Sequence, residues 1–223
     1  MQLDIHSHIL PGIDDGSRDL ETSIAMLDAA VKAGVKQIIA TPHARHSFNL
    51  PAAAAAYQQL APHAKARGVE LLGGFEVHFS MLLKLTPEQL RSCRLAGTSA
   101  LLIEFSTEIL PPDWQFTISD LTQAGYRVII AHPERYRFVQ QNLALLSEMR
   151  SYGALFQLSA NCLEAPLFSP ARKAALKMLK DGTISFIASD AHNVSGYERL
   201  EKLEKKYASV WPQGGMDKLL NGG

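Results

Sequence analysis

Residues 125–133 read Gly-Tyr-Arg-Val-Ile-Ile-Ala-His-Pro, and the fold class follows from them. Val128–Ala131 is a continuous apolar run, and such a run without polar alternation is typical of a parallel strand covered on both faces. Gly125 stands before the strand, where a preceding helix is expected to end in a left-handed cap. His132 follows the strand directly. The stretch therefore predicts a helix-to-strand unit that ends in a residue able to bind a metal ion.

The same unit recurs along the whole chain. Glycines also stand between a helical stretch and the next strand at Gly34, Gly68, Gly153 and Gly182. We predict seven strands: Leu3–Ile5, Gln37–Ala40, Glu70–Gly73, Ala100–Phe105, Arg127–Ala131, Ala154–Leu158 and Ile184–Ala188. We predict six helical stretches: Leu20–Ala33, Ala52–Ala66, Asp113–Ala124, Asn142–Tyr152, Pro170–Lys180 and Gly196–Tyr207. This alternation predicts an α/β protein, either a (β/α) barrel or barrel-like closed sheet, with a doubly wound open sheet as the alternative.

Length and composition predict one ordinary soluble domain over residues 1–223. The chain has 223 residues, of which 47% are hydrophobic. Single α/β barrel domains commonly reach about 250 residues. The 22 Lys and Arg residues balance the 22 Asp and Glu residues. A net charge of zero argues against a nucleic-acid partner, because sequence-independent binding of a polyanion needs a dense basic face.

The cysteines and the N-terminal sequence indicate the cellular compartment in which this protein is expected to lie. Cys93 and Cys162 are too few for a disulfide framework or a thiolate zinc site, so we predict a reducing compartment, the cytoplasm. The start, Met1–His6, lacks a basic region followed by an apolar region, and no apolar run approaches the ~18 residues of a membrane span. We expect neither export by that route nor insertion in a membrane.

Almost every predicted strand ends in a residue that can bind a metal ion. In a barrel, the carboxyl ends of parallel strands converge on one face, where the active sites of this architecture lie. Side chains from opposite ends of the chain would meet there. The residues at these ends are His6, His8, His43, Glu76, Glu104, His132, Asp190 and His192.

Two of these strand ends carry paired ligands. His6 and His8 stand two apart and point to the same side, where neutral imidazoles can chelate one ion. Asp190 and His192 repeat that spacing. Glu104 lies in an apolar strand, where an ionised carboxylate is costly unless it is paired or metal-bound. Imidazoles with carboxylates and without thiolates suit Mn, Fe or Zn, and the carboxylates can bridge more than one ion.

At these residues the chain resembles the PHP (polymerase and histidinol phosphatase) superfamily. The segment 4–16, Asp-Ile-His-Ser-His-Ile-Leu-Pro-Gly-Ile-Asp-Asp-Gly, is similar to the opening of the bacterial manganese-dependent protein-tyrosine phosphatases of the CpsB/YwqE type. The resemblance covers nearly the whole chain. Its further motifs are Ala40–His43, Leu102–Phe105, Ala131–Tyr136 and Ala188–Asn193.

The resemblance implies a distorted seven-stranded (β/α) barrel of the TIM-like PHP type with up to three metal ions. Manganese is the expected ion, with iron or zinc as alternatives. The first ion would be held by His6, His8, Glu76 and Asp190, the second by Glu76, Glu104 and His132, and the third by Asp15, His43 and His192. Four ligand carboxylates against three divalent ions leave a formal charge of +2, which suits a phosphate dianion. A metal-activated hydroxide is then expected to attack phosphorus in line without a covalent phosphoenzyme. As candidate ligands of the ions that would activate this hydroxide, Asp190 and His192 are assigned to the catalytic set.

Three arginines are candidates for binding the substrate phosphate. Arg135, three positions after His132, carries a planar fork that suits phosphate oxygens and also joins the catalytic set. Arg45 comes shortly after His43. Relatives commonly have a Gly-Arg pair after the last motif, but this chain has Gly196-Tyr197, so either Arg199 substitutes or that contact is absent. The ending 221–223, Asn-Gly-Gly, also departs from relatives that continue with an apolar tail.

Several other residues allow two interpretations. Asp14 either orients a water molecule or caps the loop or helix that follows, so no general acid is assigned. Ser159 and Asn161 either touch the substrate or form an ordinary turn. Aromatic residues that either stack on the ring of a substrate or pack in the core are Tyr197, Tyr136, Phe48 and Phe79.

The resemblance implies hydrolysis of phosphotyrosine on a protein. The implied partner is a bacterial tyrosine kinase that controls capsule and exopolysaccharide synthesis. Two alternatives remain: a phosphatase of a small phosphomonoester such as histidinol phosphate, and a non-catalytic, metal-bearing binding module. The Asp14-Asp15-Gly16 sequence favours the first function over histidinol phosphate, and the retention of all the candidate ligands argues against the binding module. The sequence leaves the oligomeric state open.

Overall fold

The computed structural model describes residues 2–45 and 48–212, together with residues 216 and 219. Within these residues, strands and helices alternate, and each ladder between strands is parallel. The strands are β1 (Leu3–Ser7), β2 (Gln37–Ala40), β3 (His43–Ala44), β4 (Glu70–Gly73), β5 (Glu76–His78), β6 (Ala100–Glu104), β7 (Arg127–Ala131), β8 (Leu155–Ser159) and β9 (Phe186–Ala188). The predicted α/β class is confirmed. The ending 221–223 lies outside the described residues.

The helices cover the strands, and α1, α2, α3 and α7 begin at a side-chain cap. Helix α1 starts after Asp19, whose side chain accepts a hydrogen bond from the Thr22 N–H. Helix α3 has a capping box between Thr86 and Gln89. The helices are α1 (Leu20–Lys32), α2 (Leu50–Ala66), α3 (Pro87–Ser92), α4 (Trp114–Gln123), α5 (Arg137–Gln141), α6 (Ala144–Ser151), α7 (Pro170–Lys180), α8 (Val194–Glu198) and α9 (Leu200–Lys206).

The strands form two sheets that meet along a seam between the first strand and the last. One sheet has the order β1-β2-β4, and the other has the order β3-β5-β6-β7-β8-β9. At the seam, Ser7 forms an isolated parallel bridge with Ala191, and the His8 N–H donates to the Ala191 carbonyl at 3.0 Å. The described strands form no continuous closed ring, so a seven-stranded barrel is not seen as such. Both sheets keep the order of the chain, without the reversal that defines a doubly wound sheet.

Two apolar cores lie on opposite faces of the strands. The larger core contains alternate strand residues such as Ile38, Leu101 and Val128, together with the buried faces of the helices. The other alternate residues form a smaller inner core, and strands of both sheets contribute to it. The inner core therefore packs the two sheets against each other. Its buried residues are Leu3, Ile5, Ile39, Leu95, Ala100, Leu102, Ile129, Ala131, Phe186, Ala188 and Leu219.

The sequence analysis found the long elements and missed the short ones. Three strands and one helix have the predicted bounds, and the other long elements that it identified differ by a few residues. Strands β3 and β5 have only 2 and 3 residues, and helices α3 and α5 have 6 and 5, which is too short for a periodic pattern. The helical stretch predicted over Gly196–Tyr207 is confirmed as helical, but it is not continuous, because a turn at Arg199 divides it into α8 and α9.

Helix lengths bear on the expectation that the chain is not inserted in a membrane. The longest helix, α2, has 17 residues and contains Pro62. Among the described residues, no helix combines the length and the hydrophobicity needed to cross a membrane.

Candidate metal centre

All the residues predicted to bind metal ions lie together where the parallel strands end. Their ligand atoms form four overlapping groups, with the atoms of each group within 4.8 Å of one another. The structure adds His8 to the predicted third group and places His43 beside Glu76. The groups are His8, Asp15, His43 and His192; His6, His8 and Asp190; His6, Glu76 and His132; and His43, Glu76 and Glu104.

The imidazole rings of His6 and His8 face each other through their Nε2 atoms. Their Nε2 atoms are 3.1 Å apart. Nδ1 of His6 lies 2.9 Å from Gln157 Oε1, and Nδ1 of His8 lies 2.7 Å from Asp14 Oδ2. This hydrogen-bond network assigns the proton of each neutral ring to Nδ1. The two Nε2 lone pairs then face one another, and a cation between them would turn this repulsion into ligation.

The spacing of the donor atoms fits a divalent ion. Asp190 Oδ1 lies 3.5 Å from Nε2 of both His6 and His8. Ligand atoms about 2.1 Å from one ion stand about 3.0–3.4 Å apart in octahedral or tetrahedral arrangements. The three side chains therefore surround a space of the right size for an ion.

Glu76 is the central carboxylate of the cluster. Its Oε2 lies 2.8 Å from His43 Nδ1 and 3.4 Å from Nε2 of both His6 and His8. Its Oε1 lies 2.8 Å from His132 Nε2. Glu76 Oε2 and His43 Nδ1 are both buried, and although they lie close together, neither forms a hydrogen bond of good geometry among the described atoms. Buried polar atoms are normally paired, so the donor set fits a bridging position between cations.

A bulge in β1 separates the directions of Asp4 and His6. Between Asp4 and Ser7, β1 has one more residue than the facing part of β2. An extra residue in a ladder re-aims the neighbouring side chains. Asp4 turns to Ser189 at the seam, whereas His6 turns to Gln157 and the candidate site.

The two strands that sequence analysis missed place ligands side by side. His43 pairs with Glu76 in the ladder between β3 and β5, and His78 pairs with Glu104 in the ladder between β5 and β6. Glu104 also continues the inward row of Ala100 and Leu102 along β6. His43 and Glu76 therefore stand at the same level of the sheet, and Glu104 lies two residues farther along β6.

Two of the candidate ligands stand at strained backbone positions. His132 has φ 30° and Asp190 has φ 49°, in the left-handed region that residues other than glycine rarely adopt. Each such residue costs on the order of 1–3 kcal/mol, and outliers of this kind cluster at functional sites. The Asp190 N–H donates to the His6 carbonyl at 2.8 Å, which holds one of these turns against β1.

Asp14 and Gln157 contact the rings of the candidate ligands His8 and His6 without belonging to the candidate ligand groups. Asp14 accepts hydrogen bonds from His8 Nδ1 and from the backbone N–H groups of Gly16 and His43. Burial alone would raise the pKa of Asp14, but these bonds outweigh it and lower the pKa to about 2. Gln157 was not predicted, and its polar side chain in an apolar strand was the only sequence signal.

The three candidate arginines lie around the ligands. Arg135 donates to Ser159 Oγ at 3.0 Å and to Asp190, and Arg45 donates to both carboxylate oxygens of Glu104 at 2.8 and 2.7 Å. Two cavities open beside these pairs. A cavity of about 260 Å³ is lined by Arg45, His78, Glu104, Phe105, Ser106 and Thr107. A cavity of about 290 Å³ is lined by Arg135, Asn161, Asp190, His192, Asn193, Ser195, Gly196 and Arg199.

The aromatic candidates pack in the protein interior or against other rings. Tyr197 and Tyr136 are completely buried, and their hydroxyl groups bond within the core. Phe79 and Phe48 pack on other phenylalanine rings. Stacking on a substrate ring is therefore wrong for the two tyrosines, because neither reaches the surface.

Replacement of Gly16 by alanine is expected to weaken metal binding and to destabilise the fold by ~1–3 kcal/mol. A Cβ atom at this position would lie 2.2 Å from the His8 carbonyl oxygen, so the loop that carries Asp15 must move. Thermal unfolding and a metal-binding isotherm measure the two effects. Gly73→Ala is the matched control, since nothing lies within 4 Å of its added methyl group. Equal losses of metal affinity and stability in Gly16→Ala and Gly73→Ala would contradict the explanation by a clash with His8.

The metal-free protein is expected to lose stability as the pH rises above neutrality. Burial alone would lower the pKa of His6 and His8, but Glu76, Asp190 and, for His8, Asp14 outweigh it and raise both pKa values. A raised folded-state pKa gives a stabilisation that is complete below the ordinary value of 6.5 and disappears as the pH rises through the folded-state pKa.

Urea unfolding in the presence of a chelator, at about pH 6 and about pH 9, checks this expectation. The urea midpoint is expected to be lower at the higher pH, and replacement of both His6 and His8 by alanine should flatten the difference. A midpoint of the intact metal-free protein that rises with pH would show the interpretation to be wrong.

Comparison with known proteins identifies the family. The family model for capsular polysaccharide synthesis, CpsB/CapC, matches residues 2–219. The chain belongs to the CpsB/CapC family. The tyrosine-protein phosphatase YwqE of Bacillus subtilis is 38% identical over 223 residues, which cover 94% of this chain and 87% of that protein. The tyrosine-protein phosphatase CpsB of Streptococcus agalactiae is 30% identical over 204 residues, which cover 86% of this chain and 83% of that protein.

Solved structures agree with membership of the CpsB/CapC family. One match is a structure from a set of crystal structures of YwqE of B. subtilis and CpsB of Streptococcus pneumoniae, which are metal-dependent tyrosine phosphatases. It matches with a TM-score of 0.82 at 32% identity and covers 93% of this chain and 86% of that chain. An organophosphorus hydrolase from Deinococcus radiodurans has a TM-score of 0.59 at 13% identity and covers 99% of this chain and 93% of that chain, which shows likeness of fold alone.

Proposed function

We propose that this chain is a metal-dependent phosphatase that hydrolyses phosphotyrosine on a protein. The observation that carries the proposal is the convergence of imidazole and carboxylate ligands around buried Glu76, with Arg135 beside them. The family relatives YwqE and CpsB are tyrosine-protein phosphatases, and the matching family model concerns capsular polysaccharide synthesis. The proposed partner is therefore a bacterial tyrosine kinase that controls capsule or exopolysaccharide synthesis.

The proposed ions are Mn²⁺, up to three in number. Nitrogen and oxygen donors without thiolates support manganese and are also compatible with iron or zinc. When bound, such ions supply Lewis acidity and lower the pKa of a coordinated water molecule to about 7. The residues that would hold them are His6, His8, Asp15, His43, Glu76, Glu104, His132, Asp190 and His192.

Three arginine side chains supply the positive charge with which the protein would bind the phosphate group of the substrate. Arg135 is half-buried and donates to Asp190. Partial burial alone lowers the pKa of Arg135, but Asp190 outweighs this effect and raises the pKa, so the guanidinium stays charged. We propose that Arg135 binds the phosphate oxygens next to Asp190 and His192. Arg45 contributes from the side of Glu104, and Arg199 from the lining of the 290 Å³ cavity.

The two cysteines do not supply a covalent nucleophile in this proposal. Cys93 and Cys162 are buried free thiols. Burial raises the pKa of Cys93 to about 12, and it also raises the pKa of Cys162. A thiol in that state is a poor nucleophile because the thiolate is the reactive form. Direct attack of water on phosphorus is therefore the proposed route.

We further propose that the two sheets act as one distorted (β/α) barrel within a single domain. The hydrogen bonds at the seam and the inner core shared by both sheets support this arrangement. It accounts for the meeting of ligands from β1 and from the turn after β9 at one end of the strands.

Phosphate release by the metal-stripped protein, with and without added Mn²⁺, tests the function. The matched substrates are a phosphotyrosine peptide, the phosphoserine peptide of the same sequence and histidinol phosphate. We expect Mn²⁺-dependent turnover confined to the phosphotyrosine peptide. A preference for histidinol phosphate would move the protein to small-molecule metabolism. No turnover with Mn²⁺, Fe²⁺ or Zn²⁺ would favour a metal-bearing binding module.

A further inference from the structure

Asp4 is a buried carboxylate next to the candidate metal centre that belongs to none of its ligand groups. Its Oδ1 accepts a hydrogen bond from the Ser189 N–H at 2.9 Å. Its Oδ2 accepts hydrogen bonds from Ser189 Oγ and, at 3.0 Å, from the Tyr197 hydroxyl. All of these neighbours can donate, and the two oxygens of the Asp4 carboxyl group accept from all of them at once.

These bonds cross the seam between the two sheets. Asp4 lies on β1, two residues before His6, and Ser189 directly precedes the strained residue Asp190. The Tyr197 hydroxyl also lies 2.8 Å from Ser7 Oγ, so it contacts β1 at a second point. One buried cluster therefore connects the strand that carries His6 with the turn that carries Asp190.

The ion-binding geometry depends on the relation between these two segments. His6 Nε2 lies 3.5 Å from Asp190 Oδ1, and no covalent or helical connection fixes this distance. The backbone link between them is the hydrogen bond from the Asp190 N–H to the His6 carbonyl. Asp4 holds the same two segments through additional, side-chain hydrogen bonds.

We propose that Asp4 is a positioning residue for the metal centre, with Tyr197 completing its hydrogen bonds. Asp4 acts through His6 and Asp190 and touches neither the ion nor the substrate. The inference rests on the metal centre proposed above. Partners of this kind, outside the ligand set, change metal affinity by about 10–100-fold when they are replaced.

Titration of the metal-stripped protein with Mn²⁺ alone, followed by calorimetry, tests the proposal. Asp4→Asn keeps the size of the side chain but replaces one acceptor by a donor. We expect its Mn²⁺ affinity to fall by about 10–100-fold. Tyr197→Phe removes one hydrogen bond and leaves the bonds from Ser189, so a smaller loss of about 2–10-fold is expected.

Thr98→Val is the matched control at the other end of the strands. The Thr98 side chain is buried, donates to the Leu95 carbonyl at 2.8 Å and accepts from the Ala100 N–H at 3.0 Å. Its replacement also breaks buried hydrogen bonds and is expected to lower the unfolding temperature. Its Mn²⁺ affinity should remain that of the unsubstituted protein.

The outcomes separate this inference from the proposed function. If the unsubstituted protein binds no Mn²⁺, both are wrong. If it binds Mn²⁺ and the Asp4 and Tyr197 variants bind equally well, only the inference is wrong. An equal loss of affinity in Thr98→Val would also overturn it, because the effect would then be a general loss of stability. Should Asp4→Asn not fold, the Tyr197→Phe isotherm decides.

Discussion

Phosphotyrosine turnover is expected to fall by at least about a thousandfold when His6 and His8 are both replaced by alanine. Both Nε2 atoms face the same space, and Asp190 Oδ1 lies 3.5 Å from each. Their loss removes two nitrogen ligands together and leaves Asp190 alone in that group. Metal-dependent turnover with Mn²⁺, measured on the phosphotyrosine peptide, is the readout.

The fold of this double variant is expected to persist, because neither His6 nor His8 belongs to the two apolar cores. Cooperative unfolding of the metal-free variant would show that it is folded. The absence of Mn²⁺ binding in a titration would then show that the variant has lost the metal site rather than the fold. His63→Ala on helix α2 is the control for loss of a histidine, and it should retain full turnover. Unchanged activity in the double variant would overturn the assignment of the site.

Replacement of Arg135 by lysine is expected to lower kcat/KM for the phosphotyrosine peptide by about 10²–10³. Lysine keeps the charge but loses the planar fork that can hold two phosphate oxygens. Inorganic phosphate, as a competitive inhibitor, should bind more weakly to the variant for the same reason. Steady-state kinetics and the inhibition constant for phosphate measure both effects.

The neighbouring Arg137 provides a control for this substitution. Its side chain is 66% exposed and lies 3.2 Å from Glu108, so it forms an ordinary surface ion pair. Arg137→Lys is expected to keep kcat/KM within about twofold. Because Arg135 also contacts Asp190, the bound Mn²⁺ of each variant must be measured. A normal kcat/KM in Arg135→Lys at full metal content would remove Arg135 from the catalytic set.

Much of the candidate site was predictable because its signals are local. A carboxylate such as Glu104 in an apolar strand is chemically unusual wherever the strand lies. A pair of candidate ligands such as His6 and His8 can be recognised from a segment of only three residues. Parallel strands then bring these ends together for a general geometric reason, which is why residues from many strands could be assigned to one place.

Other features of the site were not predictable because they depend on contacts made only after folding. Gln157 stands in the middle of β8 and belongs to no motif, yet it sets the tautomer of His6. Tyr197 was a candidate for binding substrate, yet it is buried. Strands β3 and β5 are too short for a periodic pattern and are defined by their ladder partners.

The sequence by itself determined the parallel α/β class and the set of candidate ligands, since buried strands and the residues that end them are properties of short segments. Only the tertiary structure decided the bulge in β1, the division into two sheets and the hydrogen bonds of Asp4. Asp4 and Tyr197 are 193 positions apart, and their hydrogen bond exists only because the first and last strands meet at the seam. Local patterns specify which residues can bind an ion, and long-range packing specifies how those residues are held.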